Sequence, residues 1–359
     1  METRALDRRT EIDVAKGFAL FLVVFAHVLD RDSIWAYWIF MFHMPVFFFL
    51  SGMTFRPEKY KGLPEFLKDK WKKRVVPYLI VTFIGLCICM IRPDYRQPVL
   101  DRGWKDILLW IFYYGQPVEL YVGQIWFLMG LFMAELFAYL WFRILGQRPL
   151  WVRCYSLLFL GWAAVNMNQV NDVFRTIFPM FHRLPWKMDT GVCAAVFLIA
   201  GYYTTKTKLL ERTGSLVWFL IPFCTWLSYY FGPRMYGYVN MCDCTYSPGP
   251  FFFLVAFLGS ASLVFTAFLC KNWKFWEYCG RYSLPMFSAQ TFAIYWVLEG
   301  IAKVTGQMYI PRHTMPGHKV SLLVSIGAFA LMVIFVYPWH VYQKKRAEGV
   351  LFLRKTTKK

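Results

Sequence analysis

Lys16 and His27 are the two residues whose types and spacing point most clearly to chemistry. They interrupt the otherwise apolar stretch DVAKGFALFLVVFAH at residues 13–27, which predicts a membrane helix. At about 100° per residue their offset amounts to three turns plus about 20°, so both side chains share a face, roughly 16 Å apart along the axis. Ionisable groups within a bilayer are costly and usually face a wet protein interior. The pair therefore indicates a functional path, although Lys16 alone could reach the headgroups and His27 alone could cap the helix end.

His43 is a second histidine inside an apolar segment, the run FMFHMPVFFFLSGM at residues 40–53. Residues 30–33 are only long enough to turn the chain, so the first two helices should form an antiparallel hairpin that brings His27 and His43 onto neighbouring helices. His43 should lie about 14 Å below the surface. Pro45 should kink the second helix and free backbone carbonyls. A structural role, in which His43 binds such a carbonyl, is the alternative to a role in a site.

The elements that must position these residues follow from composition. The chain has 359 residues, of which 58% are hydrophobic and 21% aromatic, far more apolar than the ~45–50% of an ordinary soluble domain. We predict an all-α integral membrane protein, a single bundle of about ten transmembrane helices in one domain over residues 1–359, with no fused soluble domain. The predicted spans are 12–29, 34–55, 75–91, 123–142, 151–168, 188–204, 214–231, 250–270, 282–300 and 320–342.

Charge predicts the orientation and the partners. Lys and Arg concentrate in the connections on the side that holds both chain ends, so both termini should be cytoplasmic. The net charge of +19 sits in short connections between apolar spans, which favours anionic lipid or an anionic cytoplasmic ligand over nucleic acid. Nine cysteines are scattered. Cys242 and Cys244 share a short outer connection that lacks the four-ligand pattern of a zinc site, so no metal is predicted, and a disulfide between them stays open.

The strongest electrostatic feature is the inner connection between the second and third helices. Residues 56–74 hold eight cations, more than topology requires. Lys70, Lys73 and Arg74 should share one side of a helix that enters the membrane, where such clusters bind phosphate groups through charge-assisted hydrogen bonds. A polyphosphate cofactor and a lipid headgroup both fit this cluster.

Two outer segments could take part in a site. Residues 104–114 (WKDILLWIFYY) have the aromatic, amphipathic character of a helix in the headgroup plane, which could cover the outer mouth. Residues 169–187 are expected to form a loop whose polar groups suit sugar hydroxyls, although exposed loops are polar whatever their function. These polar residues are Asn171, Asp172, Arg175, His182 and Arg183.

The chain resembles the acyltransferase-3 family of integral membrane enzymes, and within it the branch of fucose acetylase-like polysaccharide O-acetyltransferases. The matching features occur in order along nearly the whole chain. They are DVAKG at 13–17 followed by His27, FHMPVFFFLSGM at 42–53, the basic cluster 70–74 with VVPYL, Gln124-Ile-Trp126-Phe-Leu, Leu184-Pro-Trp186 with Asp189 and Gly201-Tyr202, and Gly280-Arg-Tyr-Ser283-Leu284.

Two positions depart from the family pattern. A histidine is common in the ninth helix where this chain has Gln290, so no role of that histidine carries over. The paired cations of the third helix match Lys70 and Lys73, while the register through Arg74 stays open.

The resemblance implies an O-acyltransferase that moves an acyl group from cytoplasmic acyl-CoA, commonly acetyl-CoA, to a hydroxyl of a carbohydrate or glycolipid acceptor. Lys70, Lys73 and Arg74 would hold the CoA phosphates, with Lys16 at the entrance. His27 is the expected general base, since imidazole titrates near neutral pH, and an acyl-histidine intermediate is the alternative.

Further residues receive roles in the same scheme. His43 would stabilise the oxyanion or bind the acceptor. Asp30 or Asp189 could fix the His27 tautomer, and Trp126 and Asp189 are the expected substrate-binding residues. The resemblance implies a multi-pass protein of the bacterial cytoplasmic membrane. The competing hypothesis is a transporter or flippase of free or lipid-linked saccharide, in which the buried Lys and His would form a proton or substrate path.

Overall fold

Helices make up most of the fold. The computed structural model describes residues 9–232, 234, 239–246, 249–306 and 317–356. A short antiparallel hairpin of β1 (Val239–Asn240) and β2 (Thr245–Tyr246) precedes α13. The helices are α1 (Thr10–Val28), α2 (Ile34–Met53), α3 (Leu63–Lys70), α4 (Val76–Ile91), α5 (Pro93–Arg102), α6 (Trp104–Leu109), α7 (Trp126–Leu145), α8 (Leu150–Val165), α9 (Met167–Ile177), α10 (Met188–Lys206), α11 (Leu209–Arg212), α12 (Val217–Phe231), α13 (Phe251–Leu269), α14 (Lys274–Arg281), α15 (Ser283–Thr305) and α16 (His318–Thr356).

The described helices support a multi-pass membrane protein. Each of the ten predicted apolar segments coincides with a helix. By length and composition, six described helical segments can cross a membrane, or seven if α8 and α9, which meet at a bend of 59°, form one span. The other three long helices, α1, α10 and α15, are more polar and fall outside this group. The structure therefore supports six or seven candidate spans within the predicted all-α bundle.

The α1 helix lies at the centre of the bundle and packs against α2, α13, α14, α15 and α16. It crosses α14 very closely, because a Cβ atom at Gly280 would overlap the carbonyl oxygen of Asp13, and one at Gly17 would overlap that of Trp276. Small residues at such crossings let two helix backbones approach. The crossing holds α1 in place, with Lys16 next to Gly17.

The first two helices form the expected hairpin. Residues 29–33 turn the chain, and the Ser33 hydroxyl caps α2 by accepting a hydrogen bond from the Ala36 amide at 3.2 Å. The His27 and His43 rings lie on the facing helices with their centroids 6.2 Å apart. The predicted pairing of these helices is confirmed.

The cationic segment is largely helical instead of a loop. The α3 helix continues through a π-helical turn, Trp71–Val75, into α4. Such π-turns are rare and concentrate at functional sites. The turn contains Lys73 and Arg74, and Lys70 immediately precedes it.

Candidate functional site

A large cavity opens at the end of the bundle where α1 begins. This cationic cavity has a volume of about 720 Å³. Eight cations line it against three carboxylates, so its field attracts an anion with several charges. The cations are Arg9, Lys16, Arg56, Lys59, Lys70, Lys73, Arg74 and Lys206, and the carboxylates are Asp13, Glu58 and Glu135.

Two of the predicted phosphate-binding cations are already paired with a carboxylate. Lys70 donates to Glu135 Oε1 at 2.7 Å, and Arg74 donates to both carboxylate oxygens of Glu135 at 2.9 and 3.0 Å. Glu135 lies on α7 and is almost completely buried. Lys70 and Arg74 therefore build the wall of the cationic cavity, a structural task that the sequence prediction did not include.

The third predicted cation, Lys73, is half exposed and pairs with Asp69 on the preceding turn at 2.8 Å. Surface pairs of this kind are weak, so Lys73 can exchange Asp69 for a phosphate at little cost. All three residues line the same cavity, which confirms that they share one side of the helix.

Other cavity cations are better placed to meet an anion. Arg56 and Lys206 are exposed at the cavity rim, and neither forms an ion pair within the described part of the chain. Lys206 is the last residue of α10, where sequence periodicity offered no reason to connect it with residues 56–74.

A second cavity lies at the opposite end of α1. This polar cavity has a volume of about 340 Å³ and mixes aromatic rings with amide and charged side chains. It is lined by His27, Arg31, Phe40, Gln116, Pro117, Glu119, Tyr121, Gly123, Gln124, Trp126, Asn240, Cys242, Asp243, Gln290, Thr291 and Tyr295. Amides offer donors and acceptors together, and aromatic faces accept apolar ring faces. Such a wall suits a ligand rich in hydroxyl groups.

The two histidines have different surroundings. His27 lines the polar cavity, whereas His43 is buried and is not among the residues that line it. The His43 Nδ1 atom is 3.0 Å from the carbonyl oxygen of Ile39, one turn earlier in the same helix. The Phe40 ring contacts both imidazoles, with centroids 5.7 Å from His27 and 4.8 Å from His43. His43 therefore supports the wall behind His27 and does not reach the cavity itself.

Trp126 lines the polar cavity as predicted, and a buried lysine lies behind it. The Lys187 Nζ atom sits 5.7 Å from the Trp126 ring centroid and donates to Gln116 Oε1 at 2.6 Å and to the Cys242 carbonyl at 2.9 Å. Lys187 is completely buried and has the unusual backbone angle φ 58°. Its three partners all line the cavity, so a fixed positive charge lies just beneath the cavity wall.

Asp189 is engaged inside the protein. Its carboxylate accepts from Arg183 Nε at 2.7 Å and from Asn171 at 2.9 Å, and it is fully buried. Arg183 also donates to the Cys242 carbonyl at 2.8 Å. Asp189 therefore holds the segment that forms one wall of the polar cavity, and direct binding of substrate by Asp189 does not fit its position.

The prediction that residues 169–187 form an outer loop is wrong for much of this segment, which contributes to the buried network around Asp189. Much of it is the helix α9, and Asn171 and Arg183 are buried. Asp172 and Arg175 are exposed and pair with each other at 2.8 Å.

Asp30 is exposed and accepts from the Asp32 amide in the turn after α1. The tautomer-fixing roles considered for Asp30 and Asp189 receive no support from these contacts.

Gln290 has an unsatisfied group next to the polar cavity. Its Oε1 atom is buried and has no hydrogen-bond partner among the described residues. Buried polar atoms are nearly always paired, so an unpaired acceptor in a cavity wall is suited to a ligand that donates a hydrogen bond. The amide thus offers an acceptor beside the polar cavity.

Cys242, which lines the polar cavity, and its neighbour Cys244 are buried thiols with raised pKa values. Cys242 and Cys244 are both free, so the open possibility of a disulfide is not realised. Burial raises the pKa of the Cys242 thiol to about 11 and that of Cys244 to about 12. Only a thiolate attacks a carbonyl efficiently, so neither thiol is expected to act as a nucleophile near neutral pH. Among the described residues, no group of three or more His, Cys, Asp or Glu is placed to hold a metal ion.

A third, narrow cavity of about 140 Å³ lies beside the cationic cavity. It shares Lys16, Ser51, Thr54 and Arg74 with the cationic cavity. Its remaining walls are mostly apolar and are formed by Phe47, Phe127, Leu128, Leu131, Ser283, Leu284 and Phe287. Lys16 therefore lies at the boundary between the two cavities.

Glu135 and Lys187 are site residues that sequence reasoning missed. A weak signal was present for each. Glu135 is a lone acid within an apolar helix, which marks a buried partner for a cation. Lys187 lies between Trp186 and Asp189 in the matched segment, but nothing in its spacing indicates burial.

Comparison with known proteins identifies one family. A family model described as an acyltransferase domain matches residues 9–310. No curated protein matches the chain, and no solved structure matches it.

Proposed function

Because the chain belongs to the acyltransferase-3 family, we propose that this membrane acyltransferase moves an acyl group, most simply acetyl, from acyl-CoA in the cationic cavity to a carbohydrate hydroxyl in the polar cavity. One observation carries the proposal. The central helix α1 places Lys16 in the wall of the cationic cavity and His27 in the wall of the polar cavity.

The cationic cavity supports a nucleotide-type thioester as donor. Coenzyme A carries several phosphate charges on one end and a thin pantetheine arm on the other. The phosphates suit the excess of cations, with Lys73, Arg56 and Lys206 available for direct contact. The arm suits the narrow cavity beyond Lys16, whose hydroxyls from Ser51, Thr54 and Ser283 can bond its amides. In the membrane this cavity would face the cytoplasm, the source of acyl-CoA.

The polar cavity supports a carbohydrate as acceptor. Sugar rings place apolar faces on aromatic rings such as Trp126 and Tyr295, and their hydroxyls bond amides such as Gln116 and Gln124. A hydroxyl donated to Gln290 would satisfy its unpaired Oε1. A glycan or glycolipid on the outer membrane face is the acceptor class that fits best.

The reaction needs one basic group at the hydroxyl. As the acceptor oxygen attacks the thioester carbonyl, the His27 imidazole takes its proton. The carbon–sulfur bond breaks, and the departing CoA thiolate receives a proton, so a thioester becomes an oxygen ester with no other reactant. The buried charge of Lys187 lies behind the Trp126 wall and favours negative charge developing in this cavity. None of the described contacts favours the saccharide transporter that the sequence left open.

Replacing the rim cations Arg56 and Lys206 should weaken donor binding selectively. The double variant Arg56→Ala with Lys206→Ala removes two charge-assisted contacts of about 1.5–3 kcal/mol each, so the dissociation constant for CoA should rise by well over tenfold. Because neither cation has an ion-pair partner among the described residues, folding should be unaffected. Thermal stabilisation of the purified protein by CoA measures the change.

Lys72→Ala is the matched control for that experiment. Lys72 is an exposed cation of the π-helical turn Trp71–Val75, and it is not among the residues that line the cationic cavity. This variant should keep the CoA affinity of the wild type. Equal affinity of the double variant and the wild type would place the donor elsewhere.

A further inference from the structure

Residues from three helical regions line both the polar cavity and the narrow cavity, and in each region the change from one cavity to the other occurs at a phenylalanine. On α2, Phe40 lines the polar cavity, whereas Phe47 lines the narrow cavity and Ser51 lines both the narrow and the cationic cavity. Two turns therefore separate the Phe40 and Phe47 layers. The only aromatic side chain that α2 gives to the narrow cavity is Phe47.

The α7 and α15 helices repeat this order. In the 3-10 turn Gly123–Ile125, just before α7, Gln124 lines the polar cavity, and Phe127 of α7 lines the narrow cavity, one turn further along. On α15, Gln290 lines the polar cavity and Phe287 lines the narrow cavity, again one turn apart. Each of three helices thus contributes one phenylalanine at the boundary of the two spaces.

The three phenylalanine rings contact one another in a closed triangle. The ring centroids are 5.8 Å apart for Phe47 and Phe127, 6.3 Å for Phe47 and Phe287, and 5.9 Å for Phe127 and Phe287. The Phe48 ring supports Phe127 from behind, with centroids 4.9 Å apart. These distances lie in the range of direct ring packing.

A hydrogen bond ties this layer to the polar cavity. The Gln124 side-chain amide donates to the backbone carbonyls of Phe287 and Ser288, both at 3.1 Å, and its Oε1 accepts from Thr291 at 2.8 Å. Gln124 and Thr291 also line the polar cavity. A ligand that competes for either side chain would loosen the anchor of the Phe287 layer.

We propose that Phe47, Phe127 and Phe287 form a movable partition that holds the acyl end of the donor in the narrow cavity and keeps it from water until an acceptor occupies the polar cavity. This inference rests on the proposed function, because it takes the donor to be a thioester that enters from the cationic cavity. His27 lies on the far side of the partition from Lys16, so transfer requires the rings to part.

A partition of this kind would protect the thioester from hydrolysis. Water that reached the thioester would add its oxygen to the carbonyl carbon, break the carbon–sulfur bond and release a carboxylic acid and the CoA thiol. Apolar rings exclude water without offering hydrogen bonds. Phenylalanine side chains can also rotate aside about two bonds, so the closure can be reversed.

The test compares acetyl-CoA hydrolysis without acceptor in purified wild type, Phe47→Ala and Phe287→Ala. Both variants should bind CoA with wild-type affinity and hydrolyse acetyl-CoA at least tenfold faster. Phe329→Ala is the matched control, because this buried ring packs against Phe21 and Trp276, away from both cavities, and should leave hydrolysis unchanged. Hydrolysis at the wild-type rate in both partition variants would overturn the proposal. Phe287→Leu keeps an apolar side chain and serves if an alanine variant fails to fold.

A second measurement separates this proposal from the choice of donor. Vesicles containing each variant and an internal pH-sensitive dye report proton leakage under an imposed membrane potential. The double variant Phe47→Ala with Phe287→Ala should leak several-fold faster than wild type and Phe329→Ala. Faster proton leakage without faster acetyl-CoA hydrolysis would support the partition and contradict acetyl-CoA as the donor. Proton leakage of the double variant at the wild-type rate would overturn the partition itself.

Discussion

Replacement of His27 with alanine is expected to reduce acyl transfer by 10²–10⁴-fold, because loss of a general base typically costs that much in rate. The side chain lines the polar cavity, about 16 Å along α1 from Lys16 and the donor's entrance. Binding of CoA should therefore be unchanged. The measurement is acetylation of a glycan acceptor per unit of folded protein, together with a CoA titration of the same sample.

The control for this variant is His340→Ala. The His340 ring lies 2.8 Å from the Tyr282 hydroxyl and is not among the residues that line any of the three cavities. Its removal should cost some stability and leave turnover per folded molecule near the wild-type value. If His27→Ala keeps more than about a tenth of wild-type turnover, His27 is not the base.

Replacement of Glu135 with alanine should destabilise the protein strongly. The carboxylate neutralises Lys70 and Arg74 in a buried setting, and its removal leaves two cations without their partner. Breaking a buried ion pair from one side typically costs about 3–5 kcal/mol. We expect a large drop in the thermal midpoint of the detergent-extracted protein, and a loss of CoA binding that follows from the distorted cavity wall.

A surface carboxylate provides the control for Glu135. Asp172 pairs with Arg175 on α9, and both side chains are more than half exposed. Asp172→Ala should therefore leave the thermal midpoint nearly unchanged. Combining Glu135→Ala with Lys70→Met and Arg74→Leu should recover stability, because the unpaired charges are removed with the carboxylate. Equal midpoints for Glu135→Ala and Asp172→Ala would show that the buried pairing contributes nothing.

Local sequence patterns were sufficient to predict the helices and the placement of Lys16 and His27 on one face of α1. The period of α1 places Lys16 and His27 on one face, and these two residues line different cavities near its two ends. The short turn after α1 likewise predicts the hairpin with α2 and the pairing of His27 with His43. Both inferences rest on helix geometry alone, which is local in sequence.

Contacts between distant segments could not be predicted in the same way. Glu135 lies 61 residues from Arg74, so spacing could not reveal that it neutralises the predicted phosphate-binding residues. The inward turn that buries Lys187 depends on positive φ at Trp186 and Lys187, a conformation that residues other than glycine rarely adopt. The partition rings come from three helices, and each phenylalanine alone resembles ordinary apolar core.

The most direct test of the proposed function is a sidedness experiment with sealed vesicles that contain the wild-type protein. Acetyl-CoA labelled in the acetyl group is supplied only on the side of the cationic cavity, and an oligosaccharide acceptor only on the other side. We predict that label appears as an O-acetyl ester on the acceptor, and that His27→Ala vesicles form it at least about a hundredfold more slowly. Movement of unacetylated acceptor across the membrane, with no labelled ester formed, would contradict the acyltransferase and support a saccharide transporter.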